Sequence, residues 1–452
     1  MQPLLGADFA AFQAALQQPA LAGLRTNTLK LTPAQLQSLV SWSLAPLPWS
    51  ASGFLLPQNA NPPPGKYPYH AAGLYYLQEP AAIAAAELLN PQPGERVLDL
   101  AAAPGGKTTH LAALMQNRGV LIANEIHPQR AWVLAENLER MGVTNAAILH
   151  ETPLRLAEHF GGWFDKVLLD APCSGEGMFR KSEIARREWS LQAVQACAVR
   201  QRDILRHAAQ LVRPGGLLLY VTCTFNPHEN EAVIAEFLAE NPHYEMMQVQ
   251  RHEGFSFGMP EWIGADVPTL RDAVRLFPHR APAEGHFLAL VRRVDSGTPR
   301  RLRDYRVPQA PALARADLHR AWQDLFAAAL PNLPLVLEGS YWYALPQNLP
   351  DLRGLKVLHP GAWLGVAKKN RVEPAHALAL QANLPAVVNT ANFAPDDPAL
   401  LAYLRGENVP ASGENGWTLV AVDGFGLGWG KRVNGVLKSH YPRGLRWLEA
   451  SS

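Results

Sequence analysis

Cysteine is scarce in this sequence, and its scarcity excludes a fold held together by disulfide bonds. Only three cysteines occur in 452 residues, too few for the disulfide framework of a secreted protein. Long hydrophobic runs are missing as well, because no apolar stretch approaches the roughly 20 residues that span a bilayer. The first residues lack a basic stretch followed by a continuous apolar one, so they do not read as a secretory signal. We therefore expect a reduced, cytoplasmic protein that does not enter a membrane.

The sequence also lacks a large excess of charge of either sign. Its net charge is +2, which neither requires nor excludes a nucleic-acid partner, since local patches matter more than totals. The hydrophobic fraction of 48% and the charged fraction of 18% are typical of globular proteins. The length predicts two or three domains. We expect a monomer without a metal ion.

From Arg96 onward, short apolar runs alternate with amphipathic segments. This alternation is typical of a parallel sheet covered by helices. Strands are predicted over 96–101, 119–125, 146–151, 165–171 and 217–223. Helices are predicted over 106–116, 128–142, 152–161, 190–212 and 226–242. The proline-rich segment 52–70 is predicted to lack regular structure, and the segment after residue 294, rich in Pro and Arg, is predicted to be a linker.

Two of the cysteines follow predicted strands. Cys173 stands in LLDAPCSGEG and Cys223 in LLLYVTCTFN. Because ligands bind at the carboxyl ends of the strands in open α/β sheets, both thiols are expected to face one crevice. The alternative for each is a small buried hydrophobic residue, which is the usual fate of a free cysteine. Cys197 lies in a predicted helix and fits that alternative.

A glycine-containing turn joins the first of these strands to the first helix, in VLDLAAAPGGKTTHLA. Small residues there let the backbone approach a ligand, with helix N–H groups exposed at the turn. A phosphate loop would need glycine where Ala101 stands, and the dinucleotide fingerprint GxGxxG is absent. An adenosine-type ligand remains. Glu125 ends the next strand, a position from which a carboxylate reaches ribose hydroxyls; the alternative is a surface acid before a helix.

Three motifs and one acid together resemble the RNA 5-methylcytosine methyltransferases of the NOL1/NOP2/Sun type. They are DLAAAPGGKT, DAPCSGEGMFRK, YVTCTFNPHENE and Glu125. The segments LRTNTLK and GLYYLQEPAA resemble the lead-in of that family. The segments LHPGAWLGVAKKNRVEPAHALAL and DGFGLGWGKRVNGVLKSHYPRGLRW resemble the carboxyl-terminal region of its bacterial small-subunit ribosomal RNA branch.

The resemblance implies a fold of class α/β with additional RNA-binding parts. A Rossmann-like class I methyltransferase sheet is expected between a small N-terminal RNA-binding region and a C-terminal α+β or β-barrel, PUA-like region. The expected limits are 1–74 for RNA recognition, 75–294 for the methyltransferase domain, 295–312 for the linker, 313–385 for an intermediate domain and 386–452 for the PUA-like domain. Removing the chain from about residue 312 is expected to spare cofactor binding and to weaken RNA binding.

The resemblance also implies roles for single residues. S-adenosyl-L-methionine is the expected cofactor, and its expected contacts are Ala101, Ala102, Ala103, Pro104, Gly105, Gly106, Lys107, Glu125, Glu151 and Asp170. Glu151 stands where the family more often has Asp. Cys223 is expected to attack carbon 6 of the target cytosine in small-subunit ribosomal RNA, and Cys173 to assist release. Asp170 is expected to hydrogen-bond the ring edge.

Several basic residues are candidates for RNA contacts. Arg180 and Lys181 follow the Cys173 motif and are expected to bind phosphates, with solvated loop charges as the alternative. Lys431, Arg432 and Arg443 alternate with aromatic residues that can stack on exposed bases. The alternative there is that the tryptophans fill a small β-barrel. The expected partner is ribosomal RNA or the small ribosomal subunit.

Three other functions remain compatible with parts of this pattern. A transfer RNA 5-methylcytosine methyltransferase would use the same catalytic residues. A DNA cytosine methyltransferase would use the cysteine of the first Pro-Cys motif as its nucleophile, unlike the family that this sequence resembles. A catalytically silent RNA-binding assembly factor would retain the fold, but the intact Cys223, Cys173 and Asp170 disfavour it.

Overall fold

The amino-terminal region forms a small antiparallel sheet. The computed structural model describes residues 1–382 and 386–447. The elements of this region are α1 (Gln2–Leu5), α2 (Phe9–Leu16), β1 (Ala22–Thr26), α3 (Pro33–Leu39), β2 (Ala45–Leu47), β3 (Ser50–Leu56), α4 (Pro68–Ala71) and β4 (Tyr75–Leu77). The strands pair in the order β2-β3-β1-β4. The helix α3 begins with a reciprocal cap between Thr32 and Gln35, in which each side chain accepts a hydrogen bond from the other residue's backbone N–H.

The next region contains the alternating strands and helices that the sequence pattern predicts. They are α5 (Pro80–Leu89), β5 (Arg96–Asp99), α6 (Gly106–Leu114), β6 (Val120–Asn124), α7 (Pro128–Met141), β7 (Ala146–Leu149), α8 (Pro153–Phe160), β8 (Phe164–Asp170), α9 (Glu183–Glu188), α10 (Leu191–Leu211), β9 (Val212–Thr222), α11 (Glu231–Glu240), β10 (Tyr244–Met246), β11 (Ser256–Phe257), β12 (Val274–Leu276) and β13 (His286–Arg293). Each predicted strand and helix from 96 to 242 is confirmed within a few residues.

Five parallel strands form the middle of the central sheet, in the order β9-β8-β5-β6-β7. The antiparallel strands β13, β12 and β11 extend the sheet beyond β9. From β5 the chain builds outward through β6 and β7 and then returns to place β8 on the other side of β5. The loops after β5 and β8 therefore leave the sheet at a topological switch point, where open α/β sheets bind ligands.

The parallel strands are buried on both faces. Successive residues point to opposite sides of a strand, so Leu98 and Val167 pack with α8, α10 and α11, whereas Val97 and Leu168 pack with α5, α6 and α7. Burial on both faces explains why these strands read as continuous apolar runs rather than as alternating ones. The prediction of a Rossmann-like α/β fold is confirmed.

Two further sheets follow in the chain. Their elements are α12 (Ala312–Leu325), β14 (Leu335–Glu338), β15 (Tyr341–Ala344), β16 (Val357–His359), β17 (Ala362–Lys368), β18 (Arg371–Pro374), α13 (His376–Gln381), β19 (Thr390–Phe393), α14 (Pro398–Arg405), β20 (Val409–Pro410), β21 (Gly416–Val422), β22 (Phe425–Val433) and β23 (Val436–Ser439). One sheet has the order β14-β15-β17-β18 and the other β19-β21-β22-β23-β20. The strand β16 belongs to neither, because it pairs antiparallel with β7 at the edge of the central sheet.

The two ends of the chain share a hydrophobic core. Leu24 and Leu36 of the first region lie in one cluster with Leu400 of α14 and Val420 of the last sheet. The Tyr69 hydroxyl also donates a hydrogen bond to Asp423. The first and last regions therefore pack against each other as well as against the central domain.

The structure corrects parts of the predicted plan. The segment 52–70 was expected to be irregular, but its first residues form β3, since Phe54 and Leu56 fill the core of the first sheet. Because β4 pairs with β1, we propose that the first unit extends to Leu77 rather than to residue 74. The predicted limit at residue 385 and the last five residues of the region 386–452 lie outside the described residues.

Two absences hold for the part of the chain that the structure describes. No helix there is long and apolar enough to cross a membrane. No group of His, Cys, Asp or Glu side chains in residues 1–382 and 386–447 is arranged to hold a metal ion.

Candidate active site

A buried carboxylate lies at the end of β5, where the predicted cofactor loop begins. Asp99 is 1% exposed, and its Oδ2 accepts a hydrogen bond of 2.7 Å from the Thr108 hydroxyl. Its Oδ1 has no hydrogen-bond partner among the described protein atoms. Burial raises the pKa of Asp99 to about 7, and the nearby Asp170 carboxylate adds to that effect. Sequence reasoning did not single out Asp99, although its position before the Ala-Ala-Ala-Pro-Gly-Gly run was a signal.

The two glycines of the loop are explained by packing. Gly105 has φ +113°, and a Cβ there would lie 3.2 Å from Cδ1 of Leu134 on α7. A Cβ on Gly106 would lie 3.2 Å from the Tyr76 ring. The sequence analysis assigned their small size to the approach of a ligand. The structure shows that Leu134 of α7 and Tyr76 of the N-terminal sheet also leave little room for a side chain at these two positions.

Glu125 follows β6, and residues at the start of helix α7 hold its side chain in place. Its Oε1 accepts a hydrogen bond from the His127 N–H at 2.9 Å, and its Oε2 lies 3.5 Å from the Arg130 guanidinium. Arg130 also donates to the Ala103 carbonyl at 2.9 Å. Arg130, which the sequence analysis missed, therefore ties the acid to the cofactor loop.

Glu151, after β7, is positioned by Asn124. The Asn124 side chain donates to the carbonyls of Leu100 and Glu151, and its oxygen accepts from the Glu151 N–H. The Glu151 side chain accepts a hydrogen bond of 3.0 Å from the Lys356 N–H, which precedes β16. One amide at the end of β6 thus joins the loops that follow β5 and β7.

A buried ion pair connects the cofactor loop to β8. Nζ of Lys107, near the start of α6, lies 2.6 Å from Oδ2 of Asp170, the last residue of β8. Burial lowers the pKa of Lys107, but Asp170, and after it Cys223, outweigh that effect and leave the pKa raised. Lys107 is therefore a cation that lies near the Asp170 carboxylate and the Cys223 thiol.

The two predicted catalytic cysteines are in contact. Sγ of Cys173 lies 3.3 Å from Sγ of Cys223, and the Cys223 N–H donates to Sγ of Cys173 at 3.3 Å. The hydrogen bond with Cys223, and burial after it, raises the pKa of Cys173 well above its ordinary value. Cys173 is therefore a thiol that its surroundings keep protonated, and it lies in hydrogen-bond contact with the sulfur of Cys223. Cys197 lies in α10, as predicted.

A further acid, missed in the sequence, locks the two cysteine loops together. Glu229 accepts hydrogen bonds from the N–H and the hydroxyl of Ser174. Gln201 of α10 donates to both Glu229 and the Pro172 carbonyl, at 2.9 Å each. Ser174 also bonds the Thr224 hydroxyl at 3.0 Å. Because Glu229 is fully buried, these bonds fix the chain on either side of Cys173 and tie it to Thr224, which follows Cys223.

Two of the predicted RNA contacts are arginines whose side chains are already engaged within the protein. The Arg180 side chain is buried, and its guanidinium pairs with Glu284 at 2.7 Å and donates to two carbonyls. Arg432 is also buried, and it donates to the carbonyls of Glu414 and Thr390. Both arginines hold the fold together and have no donor fork open to a phosphate.

The remaining three predicted RNA-binding residues are exposed. They are Lys181, Lys431 and Arg443. Trp429 and Tyr441, by contrast, are core residues, and the Trp429 N–H donates to the Ala375 carbonyl. The aromatic residues of the last sheet therefore serve in part as its core, which was the alternative weighed for them.

Four family models match most of the chain. The description "16S rRNA methyltransferase RsmB/F" matches residues 86–292, and "N-terminal domain of 16S rRNA methyltransferase RsmF" matches 1–80. The first C-terminal domain of the RsmF rRNA methyltransferase matches 321–381, and the methyltransferase RsmF PUA domain matches 390–447.

Relatives over nearly the full length carry one name. A ribosomal RNA small subunit methyltransferase F from Enterobacter is 34% identical over 97% of this chain and 92% of that protein. Its counterpart from Vibrio vulnificus is 32% identical over 97% of this chain and 93% of its own. The counterpart from Shewanella loihica is 30% identical over 95% and 90%.

Solved structures share the fold of about two thirds of the chain. A methyltransferase homolog protein from Pyrococcus horikoshii is 31% identical, with a TM-score of 0.59 over 65% of this chain and 93% of its own. The structure of NSun6 from the same organism, solved with SFG, is 22% identical, with a TM-score of 0.56 over 65% of this chain and 97% of its own. The second supports the fold alone.

Proposed function

This chain belongs to the family of the 16S rRNA methyltransferases RsmB/F, and on that premise we propose that it methylates carbon 5 of a cytidine in small-subunit ribosomal RNA. S-adenosylmethionine is the proposed methyl donor. The observation that carries the proposal is the contact between the thiols of Cys173 and Cys223, at 3.3 Å, beside the Lys107–Asp170 ion pair. A cytosine ring needs a nucleophile at carbon 6 before carbon 5 can accept a methyl group, and a thiolate suits that task.

The acids at the sheet edge fit the proposed cofactor. S-adenosylmethionine carries a sulfonium and an ammonium group, and it supplies an electrophilic methyl group when bound. The ends of β5, β6, β7 and β8 present Asp99, Glu125, Glu151 and Asp170. Asp99 keeps one oxygen without a protein partner, which favours a donor from a ligand. The backbone of 101–107, at the start of α6, would lie against the same ligand.

The two thiols have different roles in the proposed reaction. In the proposed reaction the Cys223 thiolate forms a bond to carbon 6 of the cytosine, and electron density moves to carbon 5, which accepts the methyl group. A base then takes the proton from carbon 5, the double bond between carbons 5 and 6 forms again, and the bond from sulfur to carbon 6 breaks. Cys173, in contact with Cys223 at 3.3 Å, is proposed to hydrogen-bond the departing thiolate and so to assist its release.

Asp170 and Lys107 are proposed to act on the ring edge. The Asp170 side chain is 35% exposed, whereas that of Lys107 is 13% exposed. The carboxylate is thus the group that a cytosine can reach, and the ammonium behind it orients it.

The recognition of RNA is proposed for exposed basic residues of the central domain and of the last region. Lys181 lies after the Cys173 loop, and Lys431 and Arg443 lie in the last region. Each is free of the buried networks that hold Arg180 and Arg432. A target base must be unstacked to reach the thiols, so a single-stranded or opened segment is the proposed substrate. The cytoplasmic location and the monomeric state stay predictions.

The test is a methyl-transfer assay with three substrates. The full chain is incubated with labelled S-adenosylmethionine and, separately, with small ribosomal subunits, naked 16S rRNA and bulk transfer RNA. Nucleosides from the digested RNA are then separated by mass. We expect 5-methylcytidine from the ribosomal substrates. Transfer only to transfer RNA would support the alternative of a transfer RNA methyltransferase, and a methyl group on any other atom would overturn the proposed chemistry.

A further inference from the structure

A cavity of about 800 Å³ lies where three parts of the protein meet. Helix α7 of the central domain forms one wall. The sheet β14-β15-β17-β18 forms the second, and the last sheet forms the third. Cavities of this size hold small ligands or several protruding side chains. None of the residues assigned to the cofactor or the thiols lines it.

The walls of this junction cavity are aromatic. The aromatic rings that line it are Trp132, Tyr341, Tyr343, Trp363, Trp417 and Trp429. Trp132 is 54% exposed and Tyr341 is 47% exposed, which is unusual for side chains of this size. The rings of Tyr341 and Trp363 meet edge to face at 5.8 Å. Ring faces therefore remain available to a ligand.

The cavity is also acidic. Four glutamates line it, Glu136, Glu139, Glu338 and Glu373, whereas no Lys or Arg is among its described lining residues. Only Glu373 of the four has an arginine partner among the described residues, Arg371 at 2.9 Å. Glu136 lies one helical turn from Trp132, so a carboxylate and an indole share one face of α7. Because burial raises the pKa of Glu139 to about 7 and Glu373 pairs with Arg371, the negative charge of the lining comes mainly from Glu136 and Glu338, which have no Lys or Arg partner among the described residues.

We propose that the junction cavity binds an arginine or lysine side chain of a basic polypeptide. A cation over an aromatic face is attracted by the ring quadrupole, and carboxylates at its sides pair with it. Arginine adds a planar group that stacks on indole rings and donates to two carboxylates together. This proposal does not depend on the proposed reaction, because the cavity is separate from the thiols.

A nucleotide fits the cavity less well. A base would stack on the same rings, but its phosphates would lie close to unpaired carboxylates and would be repelled. Lys431 lies 6.0 Å from the Trp417 ring, at one wall, and is the cation that would favour RNA there. The rival ligand is therefore an RNA segment, and the experiment separates the two.

The experiment measures binding of an acetylated tetraarginine amide to the full chain by titration calorimetry. A poly(A) oligonucleotide is the second probe. The double variant Glu136→Gln/Glu338→Gln keeps the shape of both side chains and the acceptor that Glu338 offers to the Tyr305 hydroxyl. Trp132→Leu keeps apolar bulk at an exposed site. Glu240→Gln, on exposed α11 surface, is the matched control, and the melting temperature of each variant confirms its fold.

We expect saturable peptide binding that the double variant weakens by about tenfold and that Trp132→Leu also weakens by several-fold. Glu240→Gln should bind the peptide like the parent. Equal peptide affinity in all variants, or no binding to the parent, would overturn the proposal. Oligonucleotide binding that Trp132→Leu abolishes and the double Gln variant strengthens would assign the cavity to an RNA base instead.

Discussion

Cys173 and Cys223 touch each other, and we propose that they have different roles in the reaction. Cys173 accepts a hydrogen bond from the Cys223 N–H and has a raised pKa, so it is proposed to stay a thiol while Cys223 attacks. Losing Cys173 should therefore leave the attack on carbon 6 intact and slow the release. We expect Cys173→Ala to accumulate a covalent enzyme–RNA adduct and Cys223→Ala to form none.

A denaturing gel with labelled RNA and S-adenosylmethionine measures this adduct. Cys197→Ala, in α10, is the control for loss of a thiol outside the site, and the double variant should behave like Cys223→Ala. Both single variants must first bind the cofactor like the parent. An adduct from Cys223→Ala but not from Cys173→Ala would reverse the two roles.

Glu139 provides a test of stability against pH. Burial raises the pKa of Glu139 to about 7, whereas a carboxyl in the unfolded chain has a pKa near about 4.3. Between these values the folded state binds a proton that the unfolded state does not, so stability falls as pH rises through this range and stays low above it. Glu139→Gln removes that loss.

The stability of Glu139→Gln relative to the parent should therefore grow between pH 5 and pH 8, by up to about 3 kcal/mol. Urea unfolding of both proteins at each pH measures the difference, in which other titrating groups cancel. Exposed Glu240→Gln should show a flat difference. A flat difference for Glu139→Gln as well would mean that its carboxyl is ionised in the folded protein at pH 5.

The site could be predicted from the sequence only where residues stand next to strands. Cys173, Cys223, Asp170 and Glu125 end or follow apolar runs, and parallel strands bring such positions to one edge. Glu229 could not be found this way, because its partners Ser174 and Gln201 lie 55 and 28 residues away in the chain. Periodicity carries no information on such long-range pairs, which depend on how α10 packs.

At the scale of elements, the segment 24–30, LRTNTLK, binds helices of the central domain. Arg25 is fully buried and donates to the Thr109 hydroxyl of α6 at 2.9 Å. Asn27 donates to the carbonyls of Gly73 and Met141, the last residue of α7. Lys30 donates to the Arg140 carbonyl at 3.1 Å. The segment thus satisfies the C-terminal carbonyls of α7 that helix geometry leaves free.

Asn27→Asp tests this helix-end contact. The carboxylate has no donor for the two carbonyls, and it lies at the negative end of the α7 dipole. We expect a loss of about 1–3 kcal/mol in the free energy of unfolding, measured in urea. Exposed Asn59→Asp is the matched control. A loss of the same size in both variants would mean that the change acts through net charge and not through α7.

The helices and strands predicted between residues 96 and 242 could be found because each carries its own periodic pattern. The strand β3 was missed, since the prolines after Leu56 hid the apolar residues before them. The roles of Gly105 and of Arg180 were not predictable, because each depends on an element distant in sequence, α7 for the glycine and Glu284 for the arginine. Local residue type fixes what a side chain can do, and packing decides which of those options it takes.

At the scale of the whole molecule, the part after residue 311 completes the central domain. The strand β16 pairs with β7, and the backbone of Lys356 bonds both His150 and the Glu151 side chain. Val336, Tyr343 and Leu345 belong to the same core cluster as β5 and β8. The expectation that this part can be removed without effect on cofactor binding therefore conflicts with the packing.

We expect a protein that ends at residue 311 to unfold at lower temperature and to bind S-adenosylmethionine more weakly than the full chain. The truncation exposes the edge of β7 and frees the Glu151 side chain from the Lys356 N–H. It also uncovers apolar core residues, and each large apolar side chain lost from a core costs roughly 2–5 kcal/mol of folding free energy. Thermal unfolding and calorimetric titration of the cofactor measure the two effects. The full chain with Lys356→Pro, which removes only the N–H that Glu151 accepts, separates the local effect from the loss of core. Cofactor affinity equal to that of the parent in both proteins would show that Glu151 binds independently of the C-terminal part, as the sequence pattern alone predicted.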